Sequence, residues 1–136
     1  MIRIDVEKCL GCFSCSNICP NKNIICEENE ARRTISFKKC GEECDLCVEF
    51  CPSKALTLVP ESEEISMTFE LTACRICGAH YATELMLKRI EASLPPNLQK
   101  DSMDLAWIRI CPICRRKIEA ERAAKQMVLG RIRNND

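Results

Sequence analysis

Residues 23–37, NIICEENEARRTISF, open on the apolar run Ile24-Ile25-Cys26, cross a polar and charged run from Glu27 to Arg33, and return to β-branched and aromatic positions at Thr34, Ile35 and Phe37. Two short apolar runs around a polar one predict a β-hairpin. Residues 67–71, MTFEL, alternate apolar and polar side chains and predict a short strand leading directly to Cys74. The spacing turns helical over residues 82–94, ATELMLKRIEASL: Leu87, Ile90 and Leu94 share a face, Thr83 stands where an N-cap is expected, and Pro95-Pro96 stops the helix. From Ile113 the period is helical again, with Ala120, Ala123, Ala124, Met127, Val128 and Ile132 as an apolar stripe and arginines and lysines on the other face. Residues 60–66, PESEEIS, are polar and proline-started and read as a connector.

The connector divides the chain into residues 1–60 and 61–136, each the size of a small domain. A hydrophobic content of 46% excludes a disordered chain. Thirteen cysteines demand either a disulfide framework or several metal sites. The opening residues, MIRIDVEKC, lack the charged and then apolar regions of an export signal, and twelve of the cysteines fall in short-spaced groups of the kind that bring thiolates onto metal. Metal sites in a reducing, cytoplasmic setting are therefore expected. No apolar run approaches the ~18 residues of a membrane-spanning helix. Formal net charge is zero but unevenly spread: residues 61–104 hold four Lys/Arg against eight Asp/Glu, and residues 105–136 hold eight against three. Without a long single-sign run, these charges read as solvated helix faces.

Within residues 1–60, CLGCFSCSNICPNKNI and CGEECDLCVEFCPSKAL form an internal repeat with a period of about 32 residues, Cys19-Pro20 aligning with Cys51-Pro52. Cys9, Cys12, Cys15 and Cys19-Pro20 match C-x2-C-x2-C-x3-C-P, the run that ligates cubane clusters in bacterial ferredoxins, where the fourth cysteine serves the other cluster. Gly11 allows the backbone between the first two ligands conformations that a side chain would resist. On these motifs the segment resembles the two-cluster ferredoxin family. The resemblance implies two [4Fe-4S] clusters, one held by Cys9, Cys12, Cys15 and Cys51, the other by Cys40, Cys44, Cys47 and Cys19. The second run departs from the pattern, which expects a ligand at position 41; Gly41 stands there and the cysteine is Cys40. A bulge in Gly41-Glu42-Glu43 that leaves the thiolate in place, a three-iron cluster, and a substitute ligand, for which Cys26 is the nearby candidate, are the alternatives. Cys26, alone in a strand pattern, reads better as a small buried hydrophobe.

Cys74-Arg75-Ile76-Cys77 and Cys111-Pro112-Ile113-Cys114 are two C-x2-C knuckles with thirty-three residues between them. Four thiolates so arranged suit tetrahedral Zn²⁺, or a mononuclear rubredoxin-type iron, since both accept an S4 site. The second knuckle opens the C-terminal helix, whose amides and dipole favour thiolates. With four protein ligands and no open position the site is structural. His80 reads as local packing beside Tyr81.

The order of a two-cluster module, a short strand, CRICGAHYATELMLKRI and CPICRR resembles the iron–sulfur subunit of formate hydrogenlyase and related multisubunit nickel–iron hydrogenases, relatives of respiratory complex I. This resemblance implies an α+β chain, a bacterial-ferredoxin-like domain over 1–60 followed by a small four-cysteine metal-binding domain of zinc-ribbon or treble-clef type over 61–136 with a C-terminal helix. It also implies an electron-transfer subunit among the other redox subunits of an anaerobic oxidoreductase of hydrogenase, formate hydrogenlyase or formate dehydrogenase type, in the cytoplasm or at the cytoplasmic face of a membrane-bound complex, peripheral through its partners rather than inserted. No phosphate-cradling loop, nucleophile elbow or paired catalytic carboxylates are found, so no catalysis by the chain alone is expected. A freely diffusing ferredoxin with a structural zinc appendage is the alternative. A redox-sensing nucleic-acid-binding protein, suggested by RICPICRRKIEAERAAKQ, is disfavoured by the scarcity of aromatics for stacking bases, and no nucleic-acid partner is expected.

Overall fold

A computed structural model describes residues 1–40, 43–99 and 106–133. Strand β1 (Ile2–Ile4) leads through the first cysteine run to helix α1 (Ser14–Ile18) and then to the hairpin β2 (Ile24–Asn29) and β3 (Arg32–Phe37). The second run follows, with α2 (Leu46–Glu49) and β4 (Leu56–Leu58). Strands β5 (Ile65–Ala73) and β6 (His80–Thr83), helices α3 (Glu84–Ser93) and α4 (Pro96–Gln99), a 3-10 turn (Ala106–Arg109) and the long α5 (Pro112–Arg133) complete the order.

The sequence repeat is built into the backbone. Ser14 and Leu46, which open α1 and α2, and Ile24 and Leu56, which open β2 and β4, stand 32 residues apart. Lys22 and Lys54, also 32 apart, both adopt positive φ, 52° and 53°, in the turn after Cys-Pro. Pairing then exchanges the halves: β1 lies antiparallel to β4, and β3 antiparallel to β2. Each pair thus joins the start of one half to the end of the other. Ile2, Ile24, Ile35, Phe37, Ala55 and Leu56 form the buried core between them, with Cys47 and Cys51 among them.

The hairpin is longer than the hydrophobic pattern implied. Strands run through the polar stretch and leave only Glu30-Ala31 as the turn, because Glu28 faces Arg33 and Asn29 faces Arg32 across the ladder. Opposite charges directly across an antiparallel pair stabilise it. The segment read as the short strand MTFEL is nine residues long; it takes in Ile65 and Ser66 of the connector and pairs along the whole of β3. The resulting sheet, in the order β2-β3-β5-β6, carries the chain from the first cysteine runs to the four-cysteine region. Thr34 and Thr68 hydroxyls at 3.0 Å, and Ser66 donating to Ser36 at 2.8 Å, link the outer faces of β3 and β5.

Helix α3 starts where expected: Thr83 Oγ1 accepts from the Met86 amide at 3.2 Å, an N-cap bond. Of its expected apolar face, Leu87 is buried with Ala82 and Ile108 and Leu94 packs against them, but Ile90 is exposed. Met86 takes part instead, because the helix meets the sheet at its N-terminal end. Beyond Ile118 every described residue of α5 is exposed, so none of the described residues covers the apolar stripe from Ala120 to Ile132. No helix among the described residues is long and apolar enough to cross a membrane.

Candidate metal centres

Two cysteine-lined cavities flank the N-terminal core. Cys9, Cys12, Cys15 and Cys51 line the first, with Phe13, Ile35, Phe37 and Leu56 as apolar wall. Cys19, Cys40, Cys44 and Cys47 line the second, walled by Ile2, Ile24, Phe37 and Leu46. Phe37, 4% exposed, belongs to both and stands between them. The exchanged strand pairing is the cause of this division: β2 and β4, which follow Cys19 and Cys51, each lie against the opposite half, and each Cys-Pro turn is carried there with them.

None of the thirteen cysteines is paired in a disulfide. Burial and the neighbouring thiolate positions Cys12 and Cys9 push Cys15 up to about 12, and burial likewise raises Cys9 and Cys47. Thiols whose ionisation burial opposes need a cationic centre to be held as thiolates. Cys51 differs: burial opposes its ionisation, but the Ser53 hydroxyl and the Ala55 amide, which donates to Sγ at 3.3 Å, outweigh it and hold the thiol below its ordinary value.

Strand register clarifies the unusual second run. Ile24 pairs with Phe37 and Leu56 with Ile4, so Phe37 is the counterpart of Ile4. From Phe37 to Cys44 the second loop takes seven steps, where the first takes eight from Ile4 to Cys12. Cys40 therefore leaves its strand early, and the extra residue after it partly restores the length. The expected bulge falls on Gly41 and Glu42, which lie outside the described residues. Cys26 sits in β2 opposite Ile35, half-buried against the core and outside both cavity linings.

The third centre is tighter. Sulfurs of Cys74, Cys77, Cys111 and Cys114 all lie within 4.8 Å of one another, a separation that one metal ion spans. The first knuckle leaves β5 and closes through Gly78, at φ 75°, whose amide donates to the Cys74 carbonyl at 2.9 Å. The second enters α5 after the 3-10 turn, which Tyr81 holds by donating its hydroxyl to the Ile108 carbonyl. Burial pushes Cys114 up to about 12. Burial also opposes ionisation of Cys74, yet the amides of Cys111, at 3.2 Å, and Ile76, at 3.4 Å, contribute to bringing it down to about 6. Four thiolates in one closed set again call for a cation. His80 opens β6, exposed, and is not among these ligands.

Side chains from the rest of the sheet brace the first cysteine loop, a role that sequence reasoning missed. Arg33, 2% exposed, donates from Nη1 to the Gly11 carbonyl at 2.7 Å. Thr83 Oγ1 donates to the Leu10 carbonyl at 2.5 Å, and the Phe69 ring packs against Gly11. One signal was available for Arg33: it precedes Ile35 and Phe37 in the alternating series that faces the core.

Cysteine-lined apolar pockets closed by Cys-Pro turns are the sites of iron–sulfur proteins. The chain belongs to the ferredoxin family. An uncharacterized ferredoxin of Methanocaldococcus jannaschii is 30% identical over 58 residues, which cover 42% of this chain and 75% of that protein. Pyruvate synthase subunit PorD of Thermotoga maritima is 35% identical over 60 residues, 44% of this chain and 59% of the relative. A subunit of the Na⁺-translocating ferredoxin:NAD⁺ oxidoreductase complex of Acetobacterium woodii is 39% identical over 57 residues, 42% of this chain and 16% of that protein. The chain thus spans less than two thirds of the pyruvate synthase subunit and about a sixth of the oxidoreductase subunit. No known protein-family model matches it.

Proposed function

We propose that this chain is an electron-transfer subunit of a multisubunit oxidoreductase, holding two [4Fe-4S] clusters and one Zn²⁺. Cys9, Cys12, Cys15 and Cys51 hold the first cluster, Cys40, Cys44, Cys47 and Cys19 the second, and Cys74, Cys77, Cys111 and Cys114 the zinc. The observation that carries this reading is the lining of each N-terminal cavity by three cysteines of one run and the Cys-Pro cysteine of the other. When bound, the clusters supply one-electron redox chemistry at potentials set by their surroundings. The chain's own part is to hold the thiolates, exclude water with Phe13, Ile35, Phe37 and Leu46, and keep the two sites on either side of Phe37.

Residues 61–136 set the type of partner. The zinc knuckles fix the β5–β6 turn to the start of α5, and the exposed helix beyond Ile118 offers a surface to a neighbouring subunit. The segments CRICGAHYATELMLKRI and CPICRR point to a hydrogenase or formate hydrogenlyase partner. Two of the relatives are named as subunits of a ferredoxin:NAD⁺ oxidoreductase complex and of pyruvate synthase, which supports service in an oxidoreductase assembly in general. A freely diffusing carrier is the second reading, favoured by the relative named simply as a ferredoxin.

Metal and sulfide analysis of anaerobically purified protein, read beside its EPR spectrum, tests the assignment. About eight irons, eight sulfides and one zinc are expected. About nine irons with a high-spin ferric signal would make the Cys74 site a rubredoxin-type iron. A three-iron signal without oxidative damage would remove Cys40 as a ligand. Elution at monomer size on anaerobic gel filtration of native extract, with no oxidoreductase co-eluting, would decide for the free carrier.

A further inference from the structure

Resting on the two-cluster reading above, we infer that Arg33 is a positioning residue for the first cluster and makes it the more easily reduced of the two. Arg33 stands on β3 in the inward series that continues with Ile35 and Phe37, where an apolar residue would be expected. It is 2% exposed, and a cation so buried is tolerated only where its charge is answered locally. Its Nε donates to Glu28 Oε1 at 2.7 Å, its Nη1 to the Gly11 carbonyl at 2.7 Å, and its guanidinium lies 4.3 Å from the centroid of the Phe13 ring. Two of these three contacts are to the loop between Cys9 and Cys15.

That loop needs holding. Gly11 has φ 68° and Phe13 φ 52°, so both adopt the left-handed conformation, which a residue with a Cβ resists. Arg33 grips the carbonyl of the first and the ring face of the second, and so fixes the backbone that presents Cys9, Cys12 and Cys15. Arg33 does not itself line the cavity, but it lies against Phe13, which does. Its effect on the cluster is therefore through loop geometry and through its field.

The field has a definite sign. Reduction adds one electron to a cluster, and a fixed positive charge nearby favours the more negative state. Glu28, with 48% of its side chain exposed, is partly solvated and offsets the charge of Arg33 only in part. The cation lining the second cavity, Lys38, is exposed, so water screens it. The buried guanidinium thus distinguishes two sites that the internal repeat would otherwise make alike.

Potentiometric titration followed by EPR, on the full chain with its metal content measured, tests this with two variants of opposite sign. Cys12→Ser identifies which of the two signals belongs to the first cluster. In Arg33→Met the reduced-to-oxidised ratio of that cluster at a fixed applied potential is expected to fall about tenfold, ~59 mV for one electron. In Glu28→Gln, which removes the compensating charge, the same ratio is expected to rise, and the second cluster is expected to stay put in both. Arg33→Lys keeps the charge without the planar fork. It is expected to hold the ratio near wild type while the first cluster loses iron faster to a chelator. If Arg33→Met does not fold or sheds the first cluster, the sign of the Glu28→Gln shift decides. An unchanged or lowered ratio in Glu28→Gln, or loaded Arg33→Met with both transitions unmoved, overturns the inference. If wild type itself lacks two clusters, the functional reading fails instead, which the metal analysis shows beforehand.

Discussion

Gly11 and Gly78 share a backbone conformation and differ in their surroundings. Both have positive φ, 68° and 75°, but a Cβ on Gly11 would lie 2.7 Å from Phe69 Cγ, whereas one on Gly78 would meet nothing within 4 Å. Gly78→Ala is expected to cost about 1 kcal/mol, the left-handed penalty alone. Gly11→Ala adds displacement of a ring, bringing the total to about 2–4 kcal/mol. Anaerobic guanidinium unfolding of the two variants measures the difference, and equal costs would mean that Phe69 yields freely. At this scale the short-spaced cysteine groups were legible, because each lies within one local loop; which groups share a cavity was not, since that depends on strand pairing. Arg33 and Phe69 were not, because their partner Gly11 is far away in sequence and only strand pairing brings them to it.

Helix α3 is tied to its surroundings through Glu84. Arg109 Nη1 lies 2.7 Å from Glu84 Oε2, and Thr72 donates to the same oxygen at 3.0 Å. The hydrogen bond from Arg109 holds the Glu84 carboxyl below its ordinary value of 4.5. The folded state therefore prefers the carboxylate. Its stabilisation is complete above about pH 4.5 and is lost as pH falls through the lowered native value. The stability gap between wild type and Glu84→Gln is expected to close as pH is taken from about 7 to about 3, and a pH-independent gap would exclude the ion pair as its source. Helix α5 behaves differently, since its described residues beyond Ile118 are all exposed. Removing residues 119–136 is expected to change the thermal midpoint of the isolated chain by no more than a surface substitution does, about 0.5 kcal/mol in stability. A larger loss would mean that the helix packs back on its own chain. Helical period and the N-cap at Thr83 made α3 readable in advance. Which residues of its face are buried was not, since that depends on the angle at which it meets the sheet.

The four-cysteine centre joins the β5–β6 turn to the start of α5, beside the small Ala82, Leu87 and Ile108 cluster and the Tyr81 and Arg109 contacts. Its buried cluster consists of Cys74, Cys111 and Cys114 with Tyr81 and Ile110 packed against it, too little apolar area for a core without metal. Metal removal, by chelator or by Cys111→Ser, is expected to release β6, the 3-10 turn and the first turns of α5 while β2, β3 and β5 keep their pairing. Hydrogen exchange measures this: amides of Ala82 and Thr83 should lose protection and those of Ile35 and Met67 retain it, and continued protection of β6 would refute a structural role for the metal. The sequence by itself determined the short-spaced cysteine groups, the repeat, the hairpin and the helical segments, because each is written in contacts within a few residues or in a local period. Only the tertiary structure decided that the halves exchange strands, that β5 extends the hairpin into a four-stranded sheet, and that a buried arginine grips the first cysteine loop. Those depend on which edges pair and which faces meet. Alternation along one strand specifies a face to be covered but not the segment that covers it.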